Sequence, residues 1–272
     1  MSSYLIMAKT LHDLGFADYY KNSVSGNKCK INYGKRKGVI EFSSIKDAAK
    51  KYSYEKSGKY TVGIDRQLGL PDSTSDNELI LQCIEVFDWG GVQASNIIDA
   101  LNLYRKGELK PALEQWKGWF EDDKTLSLNM KKILWSSGWT KVFSFMFELT
   151  TIYDSRVAAY INYILVGFYQ SLDSGDKQDS LKSITCNLVS FTGPKDRSRQ
   201  LNRQYRELLG IKIKCSDAER NFRANKMASW LVRYLCELEY GEATQQNFRK
   251  VDKALYMLGF DISQLEHSAP FN

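Results

Sequence analysis

Histidine is nearly absent from this 272-residue chain, and cysteine is sparse and scattered. His12 and His267 stand far apart, one in an apparently helical leader and one in a polar tail beside Pro270, which speaks against a histidine triad or a two-histidine metal site. The five cysteines (Cys29, Cys83, Cys186, Cys215, Cys236) are odd in number and form no C-x-x-C pair. Neither a disulfide framework nor a zinc site is suggested, and no metal is expected. There is no apolar run of about eighteen residues such as a membrane helix requires. Met1–Thr10 lacks the charged start, long apolar stretch and small-residue cleavage site of a secretory leader. The expectation is a soluble, cytoplasmic protein with no membrane partner. Internal repeats, low-complexity tracts and coiled-coil heptads are missing too.

The residues present suit a folded, polyanion-tolerant protein. Hydrophobic side chains make up 43% of the chain, enough for a substantial core, and the formal charge is +6. The excess is local. Between Lys195 and Lys226 stand Lys195, Arg197, Arg199, Arg203, Arg206, Lys212, Lys214, Arg220, Arg223 and Lys226, against only Asp196, Glu207, Asp217 and Glu219.

Residues 1–75 read as a mixed N-terminal module. Lys30–Tyr33 and Val39–Phe42 form a plausible hairpin around Gly34-Lys35-Arg36-Lys37-Gly38, a basic tip that suits either phosphate or plain solvent. Residues 76–272 read as one helical domain. Its apolar period predicts helices over 77–87, 94–105, 109–121, 127–136, 140–150, 154–171, 197–208, 217–239 and 245–258, with 184–192 ambiguous between strand and helix end. Ser216-x-x-Glu219 has the form of a capping box. Val157–Phe168 is apolar nearly all round yet too short to span a bilayer, so it should be the buried central helix.

Two residues stand where chemistry is available. Lys141 follows Ser137-Gly138-Trp139-Thr140 at the start of a predicted helix. The positive end of that helix and partial burial would both disfavour its charged form, moving it toward a usable amine nucleophile. Asp154, in Ile152-Tyr153-Asp154-Ser155-Arg156-Val157, caps the predicted buried helix, where the dipole favours its ionised form. A fixed anion stabilises the oxocarbenium-like charge that builds on a sugar as an N-glycosidic bond breaks, and it can orient a water or an amine for attack.

A helix, a Gly-containing hairpin, a Lys opening the next helix and then Asp-x-x-Val opening a buried helix resembles the catalytic core of helix-hairpin-helix DNA glycosylases. The wording of Ser137–Lys141 and Ile152–Val157 is closer still to bacterial proteins with an 8-oxoguanine glycosylase fold. The resemblance covers about residues 125–170. It implies a mostly α-helical glycosylase-like fold, with catalytic roles for Asp154 and Lys141 and duplex DNA carrying a modified base as partner. It implies no metal or organic cofactor, and either repair or anti-phage defence as the setting. The hairpin departs from the family's Leu-Pro-Gly-x-Gly-x-Lys in having the single Gly138, whose amide is a candidate DNA contact. The lysine either attacks the sugar or is structural, leaving Asp154 to guide a water.

Base excision also needs a pocket for the extruded nucleotide. Trp89 beside Gly90-Gly91, Trp139 and Tyr153 are candidates for its walls, each with a competing role in the core. Arg156, Arg197, Arg199, Arg203, Arg220, Arg223 and Lys226 are candidates for the DNA backbone, with Asn225 a weaker one. A non-catalytic nucleic-acid-binding protein on the same scaffold is the alternative function.

Overall fold

The computed structural model describes residues 2–35, 37–54, 63–128, 130, 132–192 and 197–265. The hairpin tip Arg36, Lys195, Asp196 and His267 therefore lie outside the described residues, as does the side chain of Arg197.

The protein is mostly helical, as the period of its apolar residues predicts. Near the N-terminus lie α1 (Ser3–Asp13), α2 (Phe16–Tyr20), the antiparallel pair β1 (Cys29–Asn32) and β2 (Val39–Phe42), and α3 (Ile45–Lys50). Cys29 pairs with Phe42 and Asn32 with Val39, the expected hairpin. A second stretch carries α4 (Asp76–Gly90), α5 (Ala94–Arg105), α6 (Leu109–Glu121) and α7 (Trp139–Met146). Then come α8 (Ser155–Ser171), α9 (Gly175–Thr185), α10 (Arg203–Leu209), α11 (Ala218–Tyr240) and α12 (Gln245–Leu258). The ambiguous segment resolves into the end of α9 and a two-residue strand, β3 (Val189–Ser190), paired in parallel with β4 (Lys212–Ile213). Among the described residues no helix is long and apolar enough to cross a membrane.

The apolar side chains gather into two cores. One joins α1–α3 and the hairpin to α8, α11 and α12, so residues of the expected N-terminal module share their core with the C-terminal helices. The other holds α4 to α7 together with Ile152 and Phe222. As expected, α8 is central to the first core: Val157 to Asn162, Ile164 to Val166 and Phe168 are all buried. Asn162 is buried there too, its amide N–H donating to the Val189 carbonyl (3.3 Å). In α11, Met227, Trp230, Leu231, Tyr234 and Leu235 form a buried stripe at helical spacing, and Leu238 beyond them is half-buried. Its cap lies one residue beyond the expected Ser216: the Asp217 carboxylate accepts from the Arg220 amide (3.0 Å), adding a negative charge at the positive helix end.

One expected helix is not formed. Residues 127–136, where described, run without helical hydrogen bonding. Their carbonyls serve other donors. Trp116 and Trp119, one turn apart on α6 and both buried, donate their indole N–H groups to Lys132 O (3.0 Å) and Ser127 O (2.9 Å). Leaving two buried N–H groups unpaired would cost about 1–3 kcal/mol each, more than the helical propensity of this segment offers. In the opposite sense, α9 forms where no helix was expected, because only Leu181, Ile184 and Thr185 of its largely polar sequence are buried.

A close crossing fixes where α8 begins. A side chain at Gly259, the cap of α12, would run into the carbonyl of Arg156 in the first turn of α8. Both neighbours are backbone, so neither yields cheaply. Gly259→Ala is expected to destabilise the protein by about 1–3 kcal/mol, read as a fall in melting temperature of roughly 2–4 °C per kcal/mol. An unchanged melting curve would show that the two helices separate freely.

Candidate active site

Lys141 and Asp154 belong to different helices and meet in one cavity. The cavity is narrow, with ≈20 Å³ of room for a water-sized body, and is lined by Tyr52, Tyr54, Ile64, Trp89, Lys141, Ile152, Asp154, Val157, Asp252 and Tyr256. Its walls come from both cores, so it lies on their seam, a common position for a ligand site.

Asp154 is the N-cap of α8. Its Oδ1 accepts from the amides of Arg156 (2.9 Å) and Val157 (3.2 Å). No hydrogen bond to Oδ2 is formed among the described residues, so one carboxylate oxygen caps the helix and the other does not. Lys141 is the third residue of α7, and its stem crosses the C-terminal end of α4 at Gly90, where a Cβ would sit 2.8 Å from Lys141 Cε. The glycine pair thus makes room for the lysine, while Gly91 closes α4 in the left-handed conformation (φ 58°). Burial pushes the Lys141 ammonium below its ordinary value; the Asp154 charge opposes that shift and Arg156 adds to it. In this structure Nζ donates to the Ser137 carbonyl (2.8 Å).

Aromatic rings supply much of the remaining wall. Tyr54 packs on Trp89 (centroids 5.1 Å apart) and Tyr256 (6.2 Å), and Tyr52 on Tyr256 (5.6 Å). Burial raises the phenols of Tyr52 and Tyr256, which remain neutral hydroxyls at physiological pH. Trp89, only 3% exposed, has an indole N–H without a partner among the described residues. Asp252 is buried at the cavity wall, with burial raising its carboxyl and Arg249 pulling the other way.

The other expected wall residues lie elsewhere. Trp139 is 1% exposed and packs among Phe87, Trp116 and Phe143, deep in the second core. Tyr153 is fully buried, its hydroxyl donating to Val189 O (3.2 Å). Both are core residues because each follows the helical or loop register inward, away from the cavity. Gly138 has a different use as well. Its amide and that of Trp139 both donate to Ser136 Oγ (3.1 Å each), and Asn96 packs where a Cβ would stand. The hairpin amides expected to hold phosphate are therefore engaged within the turn.

Of the basic residues, Arg156 and Arg199 come together beside the site. Arg156 lies over the rings of Tyr256 (4.2 Å) and Phe260 (4.9 Å). Arg199 donates to Phe260 O (2.8 Å) and to Ser155 Oγ (3.1 Å) at the start of α8. Arg203 pairs with Glu207 (2.8 Å) on an exposed face, Arg220 pairs with Asp217 (3.4 Å), and Arg223 is part-exposed on α11. None of these last three lines the cavity. Lys226 is removed from any DNA-facing surface: it is fully buried, donating to Trp119 O and Thr125 O (2.8 Å) and lying 4.3 Å from the Trp119 ring centre. Asn225 is buried beside it, donating to Thr151 O (3.2 Å). Their polar ends interrupt the apolar helix to satisfy buried carbonyls.

Burial pushes the Lys226 ammonium from its ordinary 10.5 down to about 8. The unfolded chain thus holds a proton that the folded one sheds between those values, and this group's contribution to stability rises with pH across that window. Against Lys226→Met, the wild type should gain stability from about pH 8 to about pH 10 in urea unfolding. A constant difference would contradict this burial.

Tyr52, Tyr54, Asp252 and Tyr256 had not been read from the sequence as site residues. The signal for two of them was present: Arg249, Asp252 and Tyr256 stand at i, i+3 and i+7, along one side of the amphipathic α12. Among the described residues no three His, Cys, Asp or Glu side chains gather as a metal site needs. No protein-family model, no curated protein and no solved structure matches this chain.

Proposed function

We propose that the protein is a DNA N-glycosylase of the helix-hairpin-helix kind, which takes an extruded modified base into the cavity between its two cores and cuts the bond from that base to the sugar. The observation that supports this reading is the meeting of Lys141 and Asp154, from the starts of α7 and α8, in one aromatic-walled cavity. As it stands the cavity has ≈20 Å³ of room for a water-sized body, far below the roughly 300–1,000 Å³ of pockets that hold a ligand. A base entering it has to swing the tyrosines aside. The tyrosine and tryptophan faces then supply stacking of about 1–3 kcal/mol per base.

In the reaction, the C1′–N bond breaks and its electron pair leaves with the base. The Asp154 carboxylate, held in place by two backbone amides, stabilises the positive sugar. The Lys141 amine, poised by burial, leaves the Ser137 carbonyl, adds to C1′ and gives up a proton; ring opening then yields a Schiff base. Arg156 and Arg199 are placed to receive flanking phosphates of the duplex.

The test is a panel of end-labelled duplexes containing 8-oxoguanine, uracil, alkylated purines or glucosylated hydroxymethylcytosine, treated with protein and then hot alkali. Breaks at one modified base support the proposal. A break at the glucosylated pyrimidine would assign the activity to defence against phage DNA, and one at 8-oxoguanine to repair. Salt-sensitive binding without breaks on any member would leave a non-catalytic nucleic-acid-binding protein.

A further inference from the structure

The loop between α7 and α8 (residues 147–154) separates the two proposed catalytic groups, and its polar backbone is held almost entirely by side chains. Gln67 donates to Phe147 O (3.1 Å), Leu149 N donates to Gln245 (2.8 Å), and Thr151 N donates to Ser229 Oγ (3.1 Å). Leu149 adopts φ 45°, the one non-glycine residue with positive φ among those described, a conformation that costs about 1–2 kcal/mol. The loop is therefore clamped into a shape it would not choose.

The centre of the clamp is a buried ion pair on α12. Arg249 is 4% exposed and Asp252 is 1% exposed, with 3.4 Å between Nη1 and Oδ2. Arg249 donates to the Ser144 hydroxyl and carbonyl at the end of α7 and reaches Thr150 O (3.4 Å). Asp252 accepts from the Thr151 hydroxyl and from Ile152 N (3.3 Å), two residues before Asp154, and also forms part of the cavity wall. One ion pair thus grips the helix that carries Lys141 and the strand of loop that ends in Asp154.

We infer that Arg249 and Asp252 are positioning residues, an ion pair that fixes where Asp154 and Lys141 stand relative to one another across the cavity. The inference rests on the glycosylase reading for its chemistry and on the clamp alone for its geometry. A buried pair is weak evidence for stability, because well-packed apolar residues often replace one without loss. Here both charges are spent on loop backbone and on the α7 terminus, which points to placement. The charged and titratable groups around Lys141 among the described residues are Asp154 and Arg156 at the start of α8, Asp252 with Arg249 and Tyr256 from α12, and Tyr52 and Tyr54 from the segment after α3. A slackened loop carries Asp154 away from the ammonium, which favours the neutral amine.

Two readouts test this in Asp252→Asn, Thr151→Val and Asp154→Asn. The first is competitive acetylation of Lys141 by acetic anhydride across pH, followed by peptide mass spectrometry on the DNA-free protein. The second is single-turnover excision of the base identified in the panel. Asp252→Asn should lower the titration midpoint of Lys141, in the direction that Asp154→Asn also produces. Thr151→Val, which keeps both charges and removes one charge-assisted hydrogen bond, should slow excision by roughly tenfold or more, with DNA affinity within about twofold. A midpoint and a rate equal to wild type in both folded variants overturn the inference. Where Asp252→Asn fails to fold, Thr151→Val alone decides. If the wild type excises nothing, the acetylation still decides: a shifted midpoint upholds the clamp while the glycosylase reading falls, and an unshifted one overturns the clamp.

Discussion

Asp154→Asn is expected to slow base excision by roughly 10²–10³-fold, the usual loss when one preorganised electrostatic group is removed from a reacting centre. The substitution is informative because of what it leaves alone. Asn caps a helix about as well as Asp, so the acceptor for the Arg156 and Val157 amides is kept and α8 should start where it does now. DNA affinity should stay within a few fold, and the melting temperature should barely move. Loss of rate with retained binding and fold separates a charge that stabilises the sugar cation from a charge that only holds a helix. Asp154→Ala would confuse the two, since losing the cap costs about 1 kcal/mol on its own. Equal single-turnover rates in wild type and Asp154→Asn would remove the carboxylate from the chemistry.

The second large effect belongs to Lys141. With the amine as nucleophile, borohydride reduces the Schiff base and leaves protein and DNA covalently joined, and Lys141→Gln should abolish that product entirely. Trapping in the wild type should rise with pH through a midpoint below 10.5, because burial holds the ammonium below that ordinary value. The sign for Asp154→Asn runs against intuition. Asp154 favours the charged lysine, so removing its charge lowers the midpoint further and frees more amine at a given pH, even as the rate of bond cleavage collapses. A trapped complex that persists in Lys141→Gln would place the nucleophile elsewhere. Alkali-dependent breaks without any trapped complex would make water the nucleophile, with Asp154 as its guide.

How much of this was legible in the sequence depends on how local the signal is. The capping of α8 by Asp154 and the start of α7 beside Lys141 follow from a few adjacent residues, and the structure places both as read. The central burial of α8 follows from its all-round apolar pattern. What failed depends on contacts across the chain. The expected helix over 127–136 yields the carbonyls of Lys132 and Ser127 to Trp116 and Trp119, 16 and 8 residues earlier on another helix. Trp139 and Tyr153 flank the proposed centre in sequence but face the cores, because adjacency along a chain says little about the direction of a side chain. Trp89, far from either in sequence, is the one of the three aromatic residues that reaches the cavity.

The basic run shows the same limit. Among its described residues the structure buries Lys226, pairs Arg203 and Arg220 with carboxylates, and brings Arg199 beside Arg156 at the start of α8. Charge density along a sequence survives folding only where the residues share a face. The Arg249–Asp252 pair was readable in principle, since two opposite charges three apart on an apolar helix face must be buried together or not at all.

The central claim is that this cavity breaks an N-glycosidic bond, and free-base release measures that bond alone. Duplex carrying the base identified in the panel would be incubated with wild type or Asp154→Asn, and the small-molecule fraction quantified by mass spectrometry. The account predicts one equivalent of free modified base released by the wild type, with an intact strand until alkali or the lysine opens the abasic site, and almost none released by Asp154→Asn. Strand breaks without free base, or equal release by the two proteins, would contradict it.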